Sequence, residues 1–311
     1  MPLARIVRPV ALLTGIALAA IACNRLNEAL DKPTVALVVK TLNNQFFIDM
    51  EAGAKAAADS LGLELLVQAP ERETDVERQM QIVENLIQRK VKVLLLVPNG
   101  SKEIVPAVVK ANAAQIPVVT VDTRVDAATL ASAGARVATF IGSDNEDGGR
   151  LAGAYLIDRL RGSATVAVLE GVPGHETADA RLRGFRKALA TSAGMQIVAS
   201  QPANMDRDQA FTVTQNILQR HPGITALFAC NDVMALGALE AITAAGKGST
   251  ISIVGFDAQD DARKAVSEKR MAATIAQNPR EMGRMAMLTA ARLLKGETVP
   301  AEQPVAISLV K

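Results

Sequence analysis

Polar side chains with hydrogen-bonding chemistry stand at or shortly after the ends of six apolar runs of the chain. Two are carboxylates, three are amides and one is a hydroxyl: Asp122, Asp257, Asn44, Asn231, Gln277 and Ser143. A carboxylate accepts paired hydrogen bonds, whereas an amide both donates and accepts. Together they match the mixed demand of a ligand with vicinal hydroxyl groups. Taken singly, each also fits a helix N-cap, the role we predict for neighbouring Asp144 and Asp232.

Aromatic side chains stand beside this polar set although the chain is poor in them. It has seven phenylalanines, one tyrosine and no tryptophan, yet Phe46 and Phe47 are adjacent and Phe256 precedes Asp257. A sugar has polar edges and apolar C–H faces, so its site requires flat apolar walls as well as polar groups. We expect the pair to supply one wall and Phe256 the other. The alternative is that one of the pair packs in the core.

Ten short apolar runs are predicted to be strands that place these residues. Continuous apolar runs are typical of strands buried on both faces, and amphipathic stretches such as 74–90 separate them. Alternating strands and helices predict parallel sheets, in which ligands bind beyond the carboxyl ends of the strands. The runs span 34–39, 63–68, 92–97, 116–122, 138–143, 165–171, 196–201, 224–229, 251–256 and 272–277.

Ten strands exceed what one small open sheet usually holds, and 311 residues suffice for two domains. The predicted fold class is therefore α/β with two domains. No linker rich in serine, glycine or proline separates them. We expect the chain to cross between them at "ATFIGSDN" and "AATIAQNP".

Composition argues against several classes of function. The formal net charge is only +2 and no basic stripe carries interleaved aromatics, so we predict no nucleic-acid partner. The chain has two histidines, His175 and His221, and no clustered metal ligands, which argues against a serine hydrolase or a zinc site. We expect His175 on a loop surface. The prediction is a protein that is not an enzyme, with neither cofactor nor metal.

The first residues have the layout of an export signal. Arg5 and Arg8 precede an apolar stretch from 10 to 21, which is too short for a permanent membrane span. We predict that residues 1–22 are a signal peptide and that the mature protein is periplasmic. Two forms stay open: a lipoprotein anchored through an acylated Cys23, or a soluble protein cut at the same bond. Cys230 lies in an apolar run and is expected to be a small buried hydrophobe.

Six motifs in matching order resemble the periplasmic sugar-binding proteins of the ribose-binding type, which are type I periplasmic binding proteins and substrate-binding components of ABC transporters. They are "ALVVKTLNNQFF", "IPVVTVD", "IGSDNEDGGRLAG", "FACNDVMALGALEAITAAGK", "IVGFDAQDD" and "MAATIAQNP". The resemblance implies two flavodoxin-like, Rossmann-like lobes with parallel sheets, joined by a hinge of three crossovers. It implies an N-terminal lobe of residues 33–143 plus 278–304 and a C-terminal lobe of 144–277 plus 305–311.

The resemblance also implies a function. Such a protein captures a monosaccharide between its lobes and delivers it to an ABC permease in the inner membrane. The alternative is a receptor that signals to a membrane chemoreceptor or a sensor kinase. A transcriptional repressor with the same two lobes would carry a DNA-binding headpiece where this chain has the export signal. We expect a monomer.

Carried over by motif, the resemblance assigns the ligand-binding residues. The N-terminal lobe would contribute Asn44, Phe46, Phe47 and Asp122. The C-terminal lobe would contribute Ser143, Arg181, Asn231, Phe256, Asp257 and Gln277, with Arg183 as the competing choice for Arg181.

The chain departs from these relatives at several site positions. They carry an arginine directly after the aspartate of "VVTVD", where this chain has Thr123 followed by Arg124. Val97 stands where they have an asparagine, and Met205 where they have an aromatic residue. Because an arginine offers five donors in a fixed fork, its loss changes which hydroxyls are recognised. Ribose, another pentose, a hexose, a polyol or a related small molecule therefore stays open as the ligand.

Overall fold

The structure, a computed structural model, describes residues 32–311. Its first lobe contains a six-stranded sheet in which all paired strands are parallel. The spatial order is β2-β1-β3-β4-β5-β11, which is the flavodoxin-like order with one strand added. The strands are β1 (Thr34–Val38), β2 (Glu64–Gln68), β3 (Val93–Leu96), β4 (Val118–Val121), β5 (Thr139–Gly142) and β11 (Glu302–Pro304).

The second lobe repeats this architecture. Its sheet has the order β7-β6-β8-β9-β10-β12 and is parallel except for the last strand, which runs antiparallel to its neighbour. The strands are β6 (Ser163–Glu170), β7 (Gly194–Pro202), β8 (Ala226–Ala229), β9 (Ser252–Asp257), β10 (Ala273–Ala276) and β12 (Ser308–Val310).

Ten helices cover the faces of the two sheets within the described residues. Connections between parallel strands require such crossover helices, because a two-residue turn cannot connect strands that run the same way. They are α1 (Gln45–Leu61), α2 (Val76–Gln88), α3 (Val105–Ala113), α4 (Ala127–Ser132), α5 (Asn145–Arg159), α6 (Glu176–Leu189), α7 (Arg207–Arg220), α8 (Asp232–Ala244), α9 (Asp260–Ser267) and α10 (Pro279–Leu294). No helix within residues 32–311 has the length and apolarity that a membrane crossing needs.

The chain crosses between the lobes three times. It leaves the first sheet between β5 and α5, returns between β10 and α10, and leaves again between β11 and β12. Two α/β lobes with mostly parallel sheets confirm the predicted fold class. The boundaries predicted at 143/144, 277/278 and 304/305 stay a prediction, and each lies within one of these three segments. Residues 1–22 and Cys23 lie outside the described residues.

Apolar cores on both faces of the sheets explain the continuous apolar runs. In β1, Val35 and Leu37 belong to one buried cluster and Ala36 and Val38 to the cluster on the opposite face. Successive side chains of a strand point to opposite faces, so a strand covered on both sides must be apolar throughout.

Two strands, β11 and β12, lie outside the ten predicted runs. Each has three residues, and β11 is the sequence Glu302-Gln303-Pro304. Edge strands of this length carry no apolar run and tolerate proline. Their pairing is set by the crossovers rather than by local sequence.

Helix α10 belongs to the first lobe through a close backbone contact with α1. A Cβ atom built on Gly283 would stand 2.0 Å from the carbonyl oxygen of Met50, a distance that no real contact shows. Glycine is therefore required for the two helices to approach this closely.

We predict that Gly283→Ala lowers the free energy of unfolding by about 1–3 kcal/mol, because the added methyl group forces the helices apart. Urea denaturation followed by circular dichroism measures this. Gly223→Ala is the matched control, since a Cβ atom there meets nothing within 4 Å. Equal urea midpoints for the two variants would contradict the close contact.

Candidate functional site

A cavity lies where the carboxyl ends of the two sheets face each other. Both lobes line it with Lys40, Asn44, Phe46, Phe47, Glu73, Asp122, Thr177, Arg181, Met205, Asn231 and Asp257. Its volume is only about 20 Å³, which is room for about one water molecule. A sugar ring needs several times this volume, so a ligand of that size enters only when the lobes move apart.

Two carboxylates at strand ends face each other across the cavity. Asp122 follows β4 and Asp257 ends β9, and both are buried. Both adopt left-handed backbone conformations, with φ of 60° and 111°. Such conformations are unfavourable for residues other than glycine and cluster at functional sites. The backbone is therefore strained at both residues, where the side chain turns into the cleft.

Arg181 of α6 is the buried cation of the second lobe. Its Nε donates to Asn145 Oδ1 at 2.7 Å, and its Nη1 donates to the carbonyl oxygen of Cys230 at 2.6 Å. The same Nη1 lies 3.6 Å from Asp257 Oδ1. The guanidinium also stacks on the ring of Phe256, 3.8 Å from its centroid. These contacts hold the guanidinium plane in one orientation.

The amides of Asn44 and Asn231 serve both as caps and as cavity residues. Asn231 Oδ1 accepts from Met234 N at 2.9 Å and so caps α8. Asn44 Oδ1 accepts from Phe46 N at 3.0 Å and caps α1, while its Nδ2 donates to Glu73 Oε1 at 3.2 Å. The caps fix both side chains at the cavity edge.

The cap roles predicted for two aspartates have different outcomes. Asp144 caps α5, as predicted, by accepting from Asp147 N. Asp232 is not a cap, because Asn231 occupies that position. The carboxylate of Asp232 is buried and accepts from Thr274 Oγ1 at 2.7 Å and Gln259 N at 2.9 Å.

Phe46 and Phe47 both reach the cavity. Their rings pack edge to face, with centroids 5.3 Å apart and planes at 84°. Both also belong to the buried core below α1. They therefore form one apolar wall while anchoring the first turn of that helix.

Three of the predicted site residues do not line the cavity. Phe256 is fully buried behind Arg181 and packs against α5 at Gly148, so its ring is not a wall. Ser143 lines a separate pocket beside the crossovers. Gln277 lies behind the cavity residue Asp257, and its Nε2 donates to Asp257 Oδ1 at 2.8 Å.

The structure distinguishes Arg181 from Arg183, the two arginines that were alternatives for one place in the predicted site. Arg183 is half exposed and pairs with Glu146 at 3.4 Å, outside the cavity, whereas Arg181 is inside it. Arg124 also points away: it pairs with Glu302 at 2.7 Å and its guanidinium covers the ring of Phe140. Thr123 is fully buried and donates to Asp122 Oδ2 at 2.9 Å.

Four cavity residues were absent from the predicted set: Lys40, Glu73, Thr177 and Met205. Lys40 is the last residue of "VALVVK", so the strand-end rule used for the other residues would have found it. Glu73 and Thr177 come from a loop and a helix start whose positions depend on tertiary packing. Met205 was noted only as a departure from relatives.

His175 contradicts the expected loop surface. It precedes α6 and is 5% exposed. Burial, followed by the charge of Lys40, lowers its pKa from 6.5 to about 3. His175 is therefore neutral at pH 7 and adds no charge near the cavity.

Burial dominates the electrostatics of the site. It raises the pKa of Asp257 from 3.8 to about 7, although Arg181 and the Gln277 hydrogen bond oppose the increase. Burial also raises the pKa of Glu73 against the charge of Lys40, and that of Asp232 well above its ordinary value. Among residues 32–311, no group of three or more histidine, cysteine or acidic side chains could hold a metal ion.

Comparisons with known proteins agree with this architecture. Residues 35–298 match the model of the periplasmic binding protein domain. The ribose import binding protein RbsB of Escherichia coli strain K12 is 42% identical over 91% of this chain and 92% of its own length. A D-ribose/D-allose-binding protein of Pseudomonas aeruginosa is 38% identical over 89% and 86%. A solved ABC-transporter periplasmic solute-binding protein of Actinobacillus succinogenes with bound D-allose is 36% identical, with a TM-score of 0.85 over 90% and 98%.

We predict that wild-type stability, relative to Asp257→Asn, falls by about 1.4 kcal/mol per pH unit between about pH 4 and 7. The folded chain keeps the proton of Asp257 up to a pKa of about 7, whereas the unfolded chain loses it near the ordinary value of 3.8. The folded state therefore holds more protons in that window, and its stability decreases as pH rises.

Urea unfolding of both ligand-free proteins at pH 4.5, 5.5, 6.5 and 7.5 measures the difference. The subtraction removes the opposite contribution of His175, whose lowered pKa makes stability increase with pH. A difference that stays constant across the four pH values would show that Asp257 titrates normally.

Proposed function

This chain belongs to the periplasmic binding protein family, and on that premise we propose that it captures a monosaccharide between its two lobes. The ligand is a pentose or a similar small polyhydroxylated molecule. The protein works outside the cytoplasm and passes its ligand to an ABC permease in the inner membrane. It acts by binding alone, without catalysis and without a cofactor.

One observation carries the proposal: a single cavity is lined from both lobes by buried carboxylates, amides and cations beside two aromatic rings. Asp122 and Asn44 come from one lobe, and Arg181, Asn231 and Asp257 from the other. Such groups pair with hydroxyls that donate and accept, and the Phe46–Phe47 wall suits the C–H face of a sugar ring. Seven of the predicted ligand-binding residues line this cavity: Asn44, Phe46, Phe47, Asp122, Arg181, Asn231 and Asp257.

The ligand class follows from the relatives. The names of two of them include ribose, and the solved structure contains D-allose. Both sugars present several neighbouring hydroxyls on a compact ring. Met205 lines the cavity and Thr123 bonds the cavity residue Asp122, so we expect these two departures from the relatives to change the hydroxyls that this chain recognises, whereas Val97 lies in the apolar core.

Closure of the lobes is the proposed mechanism. Two direct contacts join the lobes at the cavity margin: Gln259 Nε2 donates to Asn44 Oδ1 at 2.8 Å, and Glu176 N donates to Ser101 Oγ at 3.2 Å. A ligand shifts an open and closed equilibrium only by binding the closed form better. Contacts from both lobes to one sugar supply that difference, and the hinge motion presents a closed surface to the membrane partner.

We expect Arg181→Ala to weaken sugar binding at least ~30-fold, because a loss of about 2 kcal/mol or more is typical when one partner of a buried charged pair is removed. Isothermal titration calorimetry with D-ribose and D-allose measures it. Arg183→Ala, two residues away and outside the cavity, is the matched control. Asp122→Asn repeats the test from the other lobe should the first variant unfold. Wild-type affinity in both cavity variants would overturn this site.

If the protein delivers its sugar to a permease, deletion of its gene should abolish uptake of that sugar. A strain lacking this gene should lose uptake of the radiolabelled sugar, and the wild-type gene should restore it while Arg181→Ala should not. Chemotaxis of the same strains toward the sugar separates the alternative role. Normal uptake with lost chemotaxis would replace the permease by a chemoreceptor.

A further inference from the structure

His175 is a buried imidazole in a segment where the two lobes touch. It precedes α6 of the second lobe and is 5% exposed. The next backbone amide, Glu176 N, donates to Ser101 Oγ of the first lobe at 3.2 Å. Ser101 is itself buried. Because this contact exists only while the lobes are together, opening of the cleft separates the segment of His175 from the first lobe.

The surroundings of His175 in the closed form suit a neutral imidazole. Its Nδ1 is buried and has no hydrogen-bond partner. A protonated imidazole carries an N–H donor at both ring nitrogens. A proton on Nδ1 would therefore be buried without an acceptor, and such burial is unfavourable.

The first lobe presents a cation to His175. Lys40 follows β1 and is 2% exposed, and its charge adds to burial in lowering the pKa of His175 from 6.5 to about 3. Glu73 and Asp122 lie 3.9 Å from Lys40 Nζ, which is longer than a hydrogen bond. The ammonium charge is thus incompletely compensated, and a second cation beside it would be repelled.

The second lobe places two acidic groups near His175 in sequence, Glu176 and Asp179 in the first turn of α6. Neither carboxylate contributes to the pKa of His175, which burial and Lys40 determine. Glu176 Oε1 instead lies 3.7 Å from Arg183 Nη2. Neither carboxylate therefore stabilises a protonated imidazole in the closed form.

We propose that His175 makes closure of the lobes sensitive to acid: protonation of its imidazole favours the open form, so the protein binds its ligand more weakly in acidic surroundings. In the open form water reaches the ring, which then binds a proton near its ordinary pKa of 6.5. Closure must release that proton, and the open form therefore gains stability as the pH falls below about 6.5. This inference rests on the proposed function and adds regulation to it.

Carboxyl groups of the cleft act in the opposite direction. Burial raises the pKa of Asp257 to about 7 and also raises those of Glu73 and Glu176. Closure takes up protons at these groups, so through them acid favours the closed form. The pH profile of the wild type contains both effects. A comparison of wild type with a variant at position 175 isolates the contribution of the histidine.

Calorimetry with D-ribose and D-allose at pH 5.0, 5.5, 6.5 and 7.5 tests the proposal on wild type and His175→Gln. Relative to the variant, wild-type affinity is expected to fall ~10-fold between pH 7.5 and 5.5 and ~30-fold between pH 7.5 and 5.0. A merely structural role of His175 would change the affinity of the variant equally at every pH. His221→Gln is the matched control and should keep the wild-type profile, since His221 follows α7 at the sheet edge opposite the cavity.

NMR of isotope-labelled histidine follows the imidazole directly in wild type. The chain has two histidines, and His221→Gln identifies the second signal. His175 is expected to titrate near pH 6.5 without sugar and to stay neutral above about pH 4.5 in the sugar-saturated protein. Equal titration in both states, or a ratio of wild-type to variant affinity that is constant with pH, overturns this inference and leaves the proposed function intact. Failure of wild type to bind any monosaccharide overturns both.

Discussion

Compensation of buried charge within each wall of the cleft is the constraint on which the rest of the site depends. Arg181 and Lys40 are buried cations, and carboxylates line the same cavity. A buried charge without a partner is very unfavourable, whereas a well-compensated pair is close to neutral in free energy. Each lobe therefore holds its own cation beside its own carboxylates: Lys40 near Glu73 and Asp122 in the first lobe, and Arg181 near Asp257 in the second.

Polar residues behind the cavity support the site through hydrogen bonds. Gln79 is fully buried and donates from Nε2 to Val97 O at 2.8 Å, while its Oε1 accepts from Asn99 N at 2.8 Å. In the other lobe, Gln277 orients Asp257. Asp257, which faces the cavity, thus has a second residue that fixes its direction, and Gln79 holds the backbone that follows β3. Such support limits the motion that an incompletely paired charge would otherwise permit.

The hinge and the site use the same segments of chain. The crossovers follow β5 and β10, and the residues directly behind these strands include Ser143 and Gln277. Neither lines the cavity, yet Gln277 contacts Asp257 and Ser143 lies in the pocket beside the crossovers. These two residues are therefore close to the cavity without forming its wall.

The sequence alone determined the class of fold, because strands covered on both faces must be apolar throughout and ten such runs stand in the order that a doubly wound sheet needs. It also placed Asp122, Asn231 and Asp257 at the edge where the cavity lies, since parallel strands bring their carboxyl ends together. Only the tertiary structure decided that Phe256 lies behind Arg181, that Arg183 and Arg124 point outward, and that Lys40 and Glu73 enter the cavity. The reason is physical: strand periodicity is a local property, whereas the direction of a side chain at a strand end or in a loop depends on neighbours distant in sequence.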